Sequence, residues 1–147
     1  MAQYIASRQI AAPIDRVFDI VAHIENFQKA LPHITNVEFL TPTHTGVGSR
    51  FRETRIMRGR QATTELEVTE YIRDERVRLV ADEGGTIWDT VFTLQPKGDR
   101  TELSMVMEAE PYRLRARIVN PMISGMVGKA VAADMDNVKA YCEADAD

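Results

Sequence analysis

The chain has 147 residues, the size of one ordinary domain, with 44% hydrophobic residues, 27% charged residues and a formal net charge of −4. This composition excludes an acidic disordered chain and argues against a binder of duplex nucleic acid, which needs a basic face. Cys142 is the only cysteine, which excludes an intramolecular disulfide and a metal site built on several thiolates. We therefore expect one domain over residues 1–147, without a nucleic-acid partner.

The N-terminus enters strand-like sequence directly, without the basic and apolar regions of a signal peptide. No segment approaches the roughly 18 consecutive apolar residues that a membrane-spanning helix requires. The expected location is the cytoplasm.

The first third of the chain predicts a strand followed by two short helices. Residues alternate in polarity from Tyr4 to Ile10, which is the period of a strand of modest burial. Helical spacing of apolar residues then predicts one helix over Pro13 to Ala22 and a second over Ile24 to Leu31. Pro32 is expected to end the second helix, because proline has no N–H to donate.

From Thr35 to Ala109 the apolar period falls to about two, which predicts consecutive strands. Turn-forming residues separate these strands at 45–48, 58–60, 73–75, 83–85 and 97–99. Such short connections join antiparallel neighbours, so the segment predicts a meander.

The last third predicts one long helix from after Pro111 to about Ala144. Its apolar stripe consists of Leu114, Ile118, Met122, Met126, Val131, Met135, Val138 and Tyr141. Pro121 is expected to kink or interrupt this helix, and Gly125 and Gly128 lower its helix propensity further. The elements together predict an α+β fold, in which a curved antiparallel sheet wraps around the long C-terminal helix and a bend in that helix leaves space for a cavity.

Several segments carry a resemblance to a known family. Ala12-Pro13 before the first helix, Asn26-Phe27 within the second and Leu31-Pro32 after it resemble the opening of the START-like (SRPBCC) superfamily, which includes polyketide cyclase/dehydrase-like and ubiquinone-binding proteins. The segments 90–96 and 101–105 resemble its late hairpin. The resemblance covers nearly the entire chain and implies the helix-grip fold, with a pocket for lipids, isoprenoids, polyketides or other hydrophobic ligands. None of these segments is a catalytic signature.

Methionine and aromatic residues are the first candidates for such a pocket. The methionines on predicted inward faces are Met57, Met105, Met107, Met122, Met126 and Met135. Methionine adapts to irregular shapes, so these residues either line a ligand cavity or fill an ordinary core. Trp88 and Phe92 share a strand face, where they form either an aromatic wall of the cavity or packing against the helix.

Polar candidates lie on a second strand, where Phe51, Glu53, Arg55 and Met57 alternate onto one face. An inward arginine needs a partner, which makes Arg55 a candidate anchor for a ligand carboxylate, phosphate or carbonyl. Glu53 either pairs with Arg55 or marks the polar end of the pocket with it, whereas a bulge would turn Arg55 outward. The predicted ligand contacts are Phe51, Glu53, Arg55, Met57, Trp88, Phe92, Met105, Met107, Met122 and Met126.

The sequence contains no nucleophile elbow, Walker-type loop, dinucleotide-binding glycine pattern or metal-binding helix motif. We assign no catalytic residue, metal or cofactor, and interpret Cys142 as incidental. Arg113, Arg115 and Arg117 make the start of the long helix basic, which predicts a solvated face or transient contact with anionic lipid headgroups.

The leading functional prediction is a carrier or sensor that binds a hydrophobic small molecule without catalysis. The first alternative is an enzyme of cyclase or dehydratase type, in which Glu53, Arg55 or Tyr71 moves a proton within the same pocket. The second is a protein-interaction module, which would expose an apolar patch in place of a cavity. The identity of the ligand and the oligomeric state are left open.

Overall fold

The computed structural model describes residues 2–144, which form seven β-strands and three α-helices. The elements follow one another as β1 Ala2–Ile10, α1 Ile14–Ala22, α2 Ile24–Ala30, β2 Ile34–Phe39, β3 Arg50–Met57, β4 Arg60–Ile72, β5 Arg76–Glu83, β6 Thr86–Lys97, β7 Arg100–Pro111 and α3 Leu114–Ala144. This order confirms the predicted α+β architecture, with two short helices after the first strand and a long helix at the end.

Two prolines set the limits of the short helices. Pro13 precedes α1 in an extended conformation, with φ −68° and ψ 153°, so the helix begins at Ile14, one residue later than predicted. Leu31 precedes Pro32 and is extended, with φ −115° and ψ 95°. The ring of a proline disfavours the helical conformation of the residue before it, so α2 ends at Ala30 and not at Leu31.

All seven strands belong to one sheet with the order β1-β7-β6-β5-β4-β3-β2, and all neighbours are antiparallel. The meander from β2 to β7 therefore pairs in sequence order, while β1 joins the far edge beside β7. Register shifts interrupt the pairing at Ile34/Asn36 and Val68/Glu70. Such irregularities bend the strands locally and increase their twist.

The core lies between one face of the sheet and the three helices. Its fully buried side chains come from β1, α1, β5, β7 and α3, and include Phe18, Leu103, Met135 and Val138. On α3, burial is concentrated in the second half, where Val131, Met135 and Val138 recur at helical spacing. This half of the helix packs into the sheet and positions the side chains discussed below.

The first half of α3 differs from the prediction. The helix runs without a break through Pro121, and both Pro121 and Gly125 are exposed. Leu114, Ile118 and Met122 are also exposed, at 73%, 61% and 80% of their surface. The predicted apolar stripe is therefore buried only from Val131 onward, because a strict four-residue spacing drifts around a helix that has 3.6 residues per turn.

Candidate functional site

A cavity of about 430 Å³ lies between α3 and the inner face of the sheet. It falls within the size range of ligand pockets in proteins, about 300–1,000 Å³. Strands β3 to β7, the α1–α2 corner and the middle of α3, from Ile123 to Asp134, supply its walls. Nine of the ten residues predicted to contact a ligand line it: Phe51, Glu53, Arg55, Met57, Trp88, Phe92, Met105, Met107 and Met126.

Small residues opposite large ones explain why this region is not filled. Trp88 on β6 pairs in register with Ala81 on β5, and Arg55 on β3 pairs with Ala62 on β4. Ala130 faces the same space from α3. The helix α3 is continuous through Pro121, and its cavity-lining residues run from Ile123 to Asp134, so an origin of the cavity in a bend at Pro121 stays a prediction.

Met122 is the one predicted ligand contact that lies elsewhere. Its side chain is 80% exposed on the outer side of α3. Met126, one turn later, does reach the cavity wall. Met135 is buried in the core below the cavity. The six methionines thus divide among cavity wall, core and surface.

The polar end of the cavity is built around Arg55, which points inward. Its Nε donates to Oε1 of Glu53 at 2.8 Å, and its Nη1 donates to Oδ2 of Asp134 at 2.9 Å. His33 contacts both Arg55 and Asp134. Its Nε2 lies 3.2 Å from Nη1 of Arg55 and 3.3 Å from Oδ1 of Asp134. Glu53 and Asp134 are each only 7% exposed. We call Glu53, Arg55, Asp134 and His33 the polar cluster.

The electrostatics of the polar cluster favour a fixed, charged Arg55. Burial alone would lower the pKa of its guanidinium, but the neighbouring carboxylates of Glu53 and Asp134 raise the pKa above its ordinary value. With one guanidinium and two carboxylates, these three groups carry a net charge of −1.

This charge balance changes the expected role of Arg55 as an anchor for an anion. At an effective dielectric constant of 20, an anion about 4 Å from the guanidinium gains about 4 kcal/mol. Repulsion from the carboxylates of Glu53 and Asp134, which flank the same guanidinium, opposes this gain. Arg55 therefore acts here as the partner of two protein carboxylates.

Asp134 and His33 were missed from the sequence. The available signal for Asp134 was its position three residues after Val131 and four before Val138, which places an acidic side chain on the buried face of α3. A buried carboxylate requires a partner, and Arg55 on β3 supplies it for Asp134. His33 had no comparable signal, because it lies in the short segment between α2 and β2.

Tyr71, named above for proton transfer, and the nearby acid Asp89 do not line the cavity. The hydroxyl of Tyr71 is 3.0 Å from Nε2 of His23, and its ring packs edge-on against Phe18 beneath α1. Asp89 accepts a hydrogen bond at 2.9 Å from Arg78 on the neighbouring strand. Tyr71 therefore cannot serve a reaction in this cavity, which corrects its place in the enzyme alternative.

Cys142 is fully buried near the end of α3. Burial raises the pKa of its thiol to about 11, so the side chain is protonated at neutral pH. A protonated thiol is a poor nucleophile.

Within residues 2–144, no group of three or more His, Cys, Asp and Glu side chains is placed to hold a metal ion. In the same part of the chain, no helix is both long enough and apolar enough to cross a membrane.

A family model described as polyketide cyclase / dehydrase and lipid transport matches residues 1–143. Curated protein sequences give no match.

Solved structures with the same fold match almost the entire chain. The protein TTHA0849 from Thermus thermophilus has a TM-score of 0.80 and 17% identity, covering 99% of this chain and 100% of that one. The di-domain ARO/CYC BexL from the BE-7585A biosynthetic pathway has a TM-score of 0.77 and 15% identity, covering 97% and 50%. Norcoclaurine synthase from Thalictrum flavum has a TM-score of 0.71 and 16% identity, covering 95% and 85%. At these identities the likeness establishes the helix-grip fold.

Proposed function

Because the chain belongs to the polyketide cyclase / dehydrase and lipid transport family, we propose that it binds an apolar small molecule between the sheet and α3, as a carrier or sensor. The observation that carries this proposal is the cavity of about 430 Å³, whose walls are mostly apolar apart from the polar cluster and Thr64, Glu83 and Thr90. Each ligand CH₂ that leaves water contributes about 0.8 kcal/mol, so a medium-sized apolar molecule binds without a covalent anchor.

The composition of the walls supports a ligand of irregular or variable shape. Met57, Met105, Met107 and Met126 contribute flexible, polarisable side chains, and Trp88 and Phe92 contribute flat aromatic surfaces. Methionine-rich surfaces repack around different ligands at little energetic cost. The predicted ligand-contact role of these residues stays part of the proposal.

The experiment is extraction of the purified protein with organic solvent, followed by mass spectrometry of the extract. We expect an apolar compound that co-purifies in near-stoichiometric amount, and that is depleted when the cavity is filled by Ala130→Leu. Ala133→Leu provides the matched control, because Ala133 is exposed on the same helix and does not line the cavity. A protein that carries no apolar compound, and that takes up none from a panel of lipids and polyketides, would contradict the proposal.

A second candidate function is a reaction of cyclase or dehydratase type in the same cavity. The observation that favours it is the buried carboxylate of Glu53, which faces the cavity. Buried carboxylates beside a bound substrate are candidates for moving a proton. Turnover of a polyketide-like substrate by the wild-type protein, lost in Glu53→Gln while binding persists, would establish it. Equal turnover in the variant would remove its basis.

The exposed half of α3 supports contact with an anionic membrane surface as the route by which ligand enters. Leu114, Ile118 and Met122 follow at four-residue intervals, and Met126 continues this line into the cavity wall. Arg113, Arg115 and Arg117 lie in the same turns, and none of the three forms an ion pair with any residue from 2 to 144. Exposed apolar residues flanked by arginine fit the boundary between lipid headgroups and acyl chains.

Vesicle flotation tests this membrane contact. We expect binding to phosphatidylcholine vesicles that contain phosphatidylglycerol, weaker binding without it, and loss of binding in Leu114→Gln/Ile118→Gln/Met122→Gln. The matched control changes Ile5, Val47 and Ile72 to Gln, because these residues are also exposed and apolar but lie outside α3. The proposal would be overturned if the wild-type protein bound neither type of vesicle. It would also be overturned if light scattering showed a dimer that the triple variant does not form.

A further inference from the structure

We infer that the polar cluster makes the cavity select apolar ligands that carry a hydroxyl group over ligands of equal length that end in a carboxylate or phosphate. This inference rests on the proposed function, because it names the class of ligand that the same cavity takes.

The first argument is the set of hydrogen-bonding positions left open at the polar cluster. Arg55 uses Nε for Glu53 and Nη1 for Asp134, while its Nη2 has no hydrogen-bond partner among residues 2–144. Glu53 uses Oε1, and its Oε2 likewise receives no hydrogen bond from the described part of the chain. Both side chains face the cavity. The open positions are thus the two N–H groups of Nη2 as donors and Oε2 of Glu53 as an acceptor.

A hydroxyl group matches both positions, because its oxygen accepts from Nη2 of Arg55 while its hydrogen is donated to Oε2 of Glu53. A hydrogen bond to an ionised carboxylate is stronger than one between neutral groups. A carboxylate or phosphate accepts from Nη2 but has no proton for Glu53, so it leaves one of the two positions unmatched.

The second argument is charge. Glu53 and Asp134 place two carboxylates around one guanidinium, so an anionic ligand adds negative charge to a site that already has an excess of it. A neutral hydroxyl adds none. Since the carboxylates of Glu53 and Asp134 are buried, solvent screens this repulsion less than it would at the protein surface.

The experiment compares 1-decanol with decanoate at neutral pH by isothermal titration calorimetry on the wild-type protein. The two ligands share the same ten-carbon length and differ only in the polar end. We expect 1-decanol to bind at least tenfold more tightly.

Two variants assign the preference to the polar cluster. Glu53→Gln/Asp134→Asn removes both negative charges while keeping the side-chain shapes, and we expect it to reduce the preference to less than threefold. Glu65→Gln is the matched control, because Glu65 pairs with Arg50 in an exposed ion pair and does not line the cavity. We expect the control to keep the wild-type preference.

The outcomes separate this inference from the function on which it rests. Equal binding of the two ligands, or tighter binding of decanoate, overturns the inference and leaves the apolar-binding function intact. Failure of both ligands, with no apolar compound recovered by solvent extraction, overturns the proposed function itself. If the double variant fails to fold, Glu53→Gln alone takes its place, because Glu53 lines the cavity and its single substitution should also reduce the preference.

Discussion

Arg55 on β3 and Asp134 on α3 are 79 residues apart in the sequence and are joined by a hydrogen bond of 2.9 Å. The pair ties the helix to the sheet at the polar end of the cavity. Because Glu53 holds the other side of the same guanidinium, removal of either carboxylate leaves Arg55 with one charged partner, whereas removal of Arg55 leaves two carboxylates without a cation.

A double-mutant cycle measures this coupling. We expect Asp134→Ala to lower the free energy of unfolding by about 2–3 kcal/mol and Arg55→Ala by about 3–5 kcal/mol, since breaking a buried pair leaves an uncompensated charge. Urea denaturation should show that the double variant loses less than the sum of the two, with a coupling of about 1–3 kcal/mol. Additive losses would mean that the pair contributes no interaction energy.

Two truncations on β7 should differ although both remove a large apolar side chain. Leu103 is fully buried in the core, so Leu103→Ala should cost about 2–5 kcal/mol. Met107 already borders the cavity, so Met107→Ala removes fewer packing contacts and should cost about 2 kcal/mol or less. Denaturation of the two variants in the same buffer checks the order. A larger loss for Met107→Ala would show that the cavity wall is packed as tightly as the core.

A substitution that fills the cavity should weaken ligand binding while leaving the free energy of unfolding nearly unchanged. Ala130→Leu adds three carbon atoms toward the cavity on a helix that tolerates leucine, so its free energy of unfolding should change by less than about 1.5 kcal/mol. Its affinity for an apolar ligand such as 1-decanol should fall at least tenfold, as measured by calorimetry. Ala133→Leu, on the exposed side, should bind as the wild type does.

Gly125→Ala and Gly85→Ala should have opposite effects on stability. A Cβ at Gly125 meets nothing within 4 Å, so alanine there should stabilise α3 by about 0.5–1 kcal/mol. Gly85 has a φ of +84°, and a Cβ there would lie 2.8 Å from Cβ of Arg113. Thermal melts should therefore show a rise in Tm for the first variant and a fall for the second. A rise in both would show that the β5–β6 turn adjusts freely at the start of α3.

The thiol of Cys142 gives a pH dependence with a defined sign. Because burial raises its pKa from an ordinary value near 9 to about 11, the unfolded chain releases this proton at lower pH than the folded protein. Stability from this group is therefore lost as the pH rises from about 9 to about 11. Thermal melts across that range should fall more steeply for the wild type than for Cys142→Ala. Parallel curves would contradict a raised pKa.

Alternation along single strands could be predicted from the sequence. It identified most of the predicted residues that line the cavity on strands β3, β6 and β7. Trp88 with Phe92, and Met105 with Met107, share faces because strand side chains alternate regardless of distant contacts. The same rule placed Glu53 and Arg55 together, and the structure shows the predicted alternative in which they form an ion pair.

Contacts between distant elements could not be predicted in this way. Asp134 meets Arg55 only because α3 crosses the sheet at that position, and no local pattern records the crossing. Met122 was predicted to contact a ligand because it lies one helical turn before Met126. The prediction is wrong because the sheet does not cover this side of α3 so near its start, where Met122 is exposed. Tyr71 follows a register shift between Val68 and Glu70, where simple alternation no longer applies.

The pairing of β1 with β7 has a consequence for biosynthesis. Ile10 lies opposite Thr101 and Ala2 opposite Ala109, so β1 is translated before the other six strands but finds its partner only in the last one. Contacts of such large sequence separation slow folding, because a long loop must close before they form. A nascent chain that stalls before β7 holds a strand without a partner, which is a template for aggregation. Completion of this fold is therefore a late event of synthesis, and chaperones that protect unpaired strands would matter most just before β7 is made.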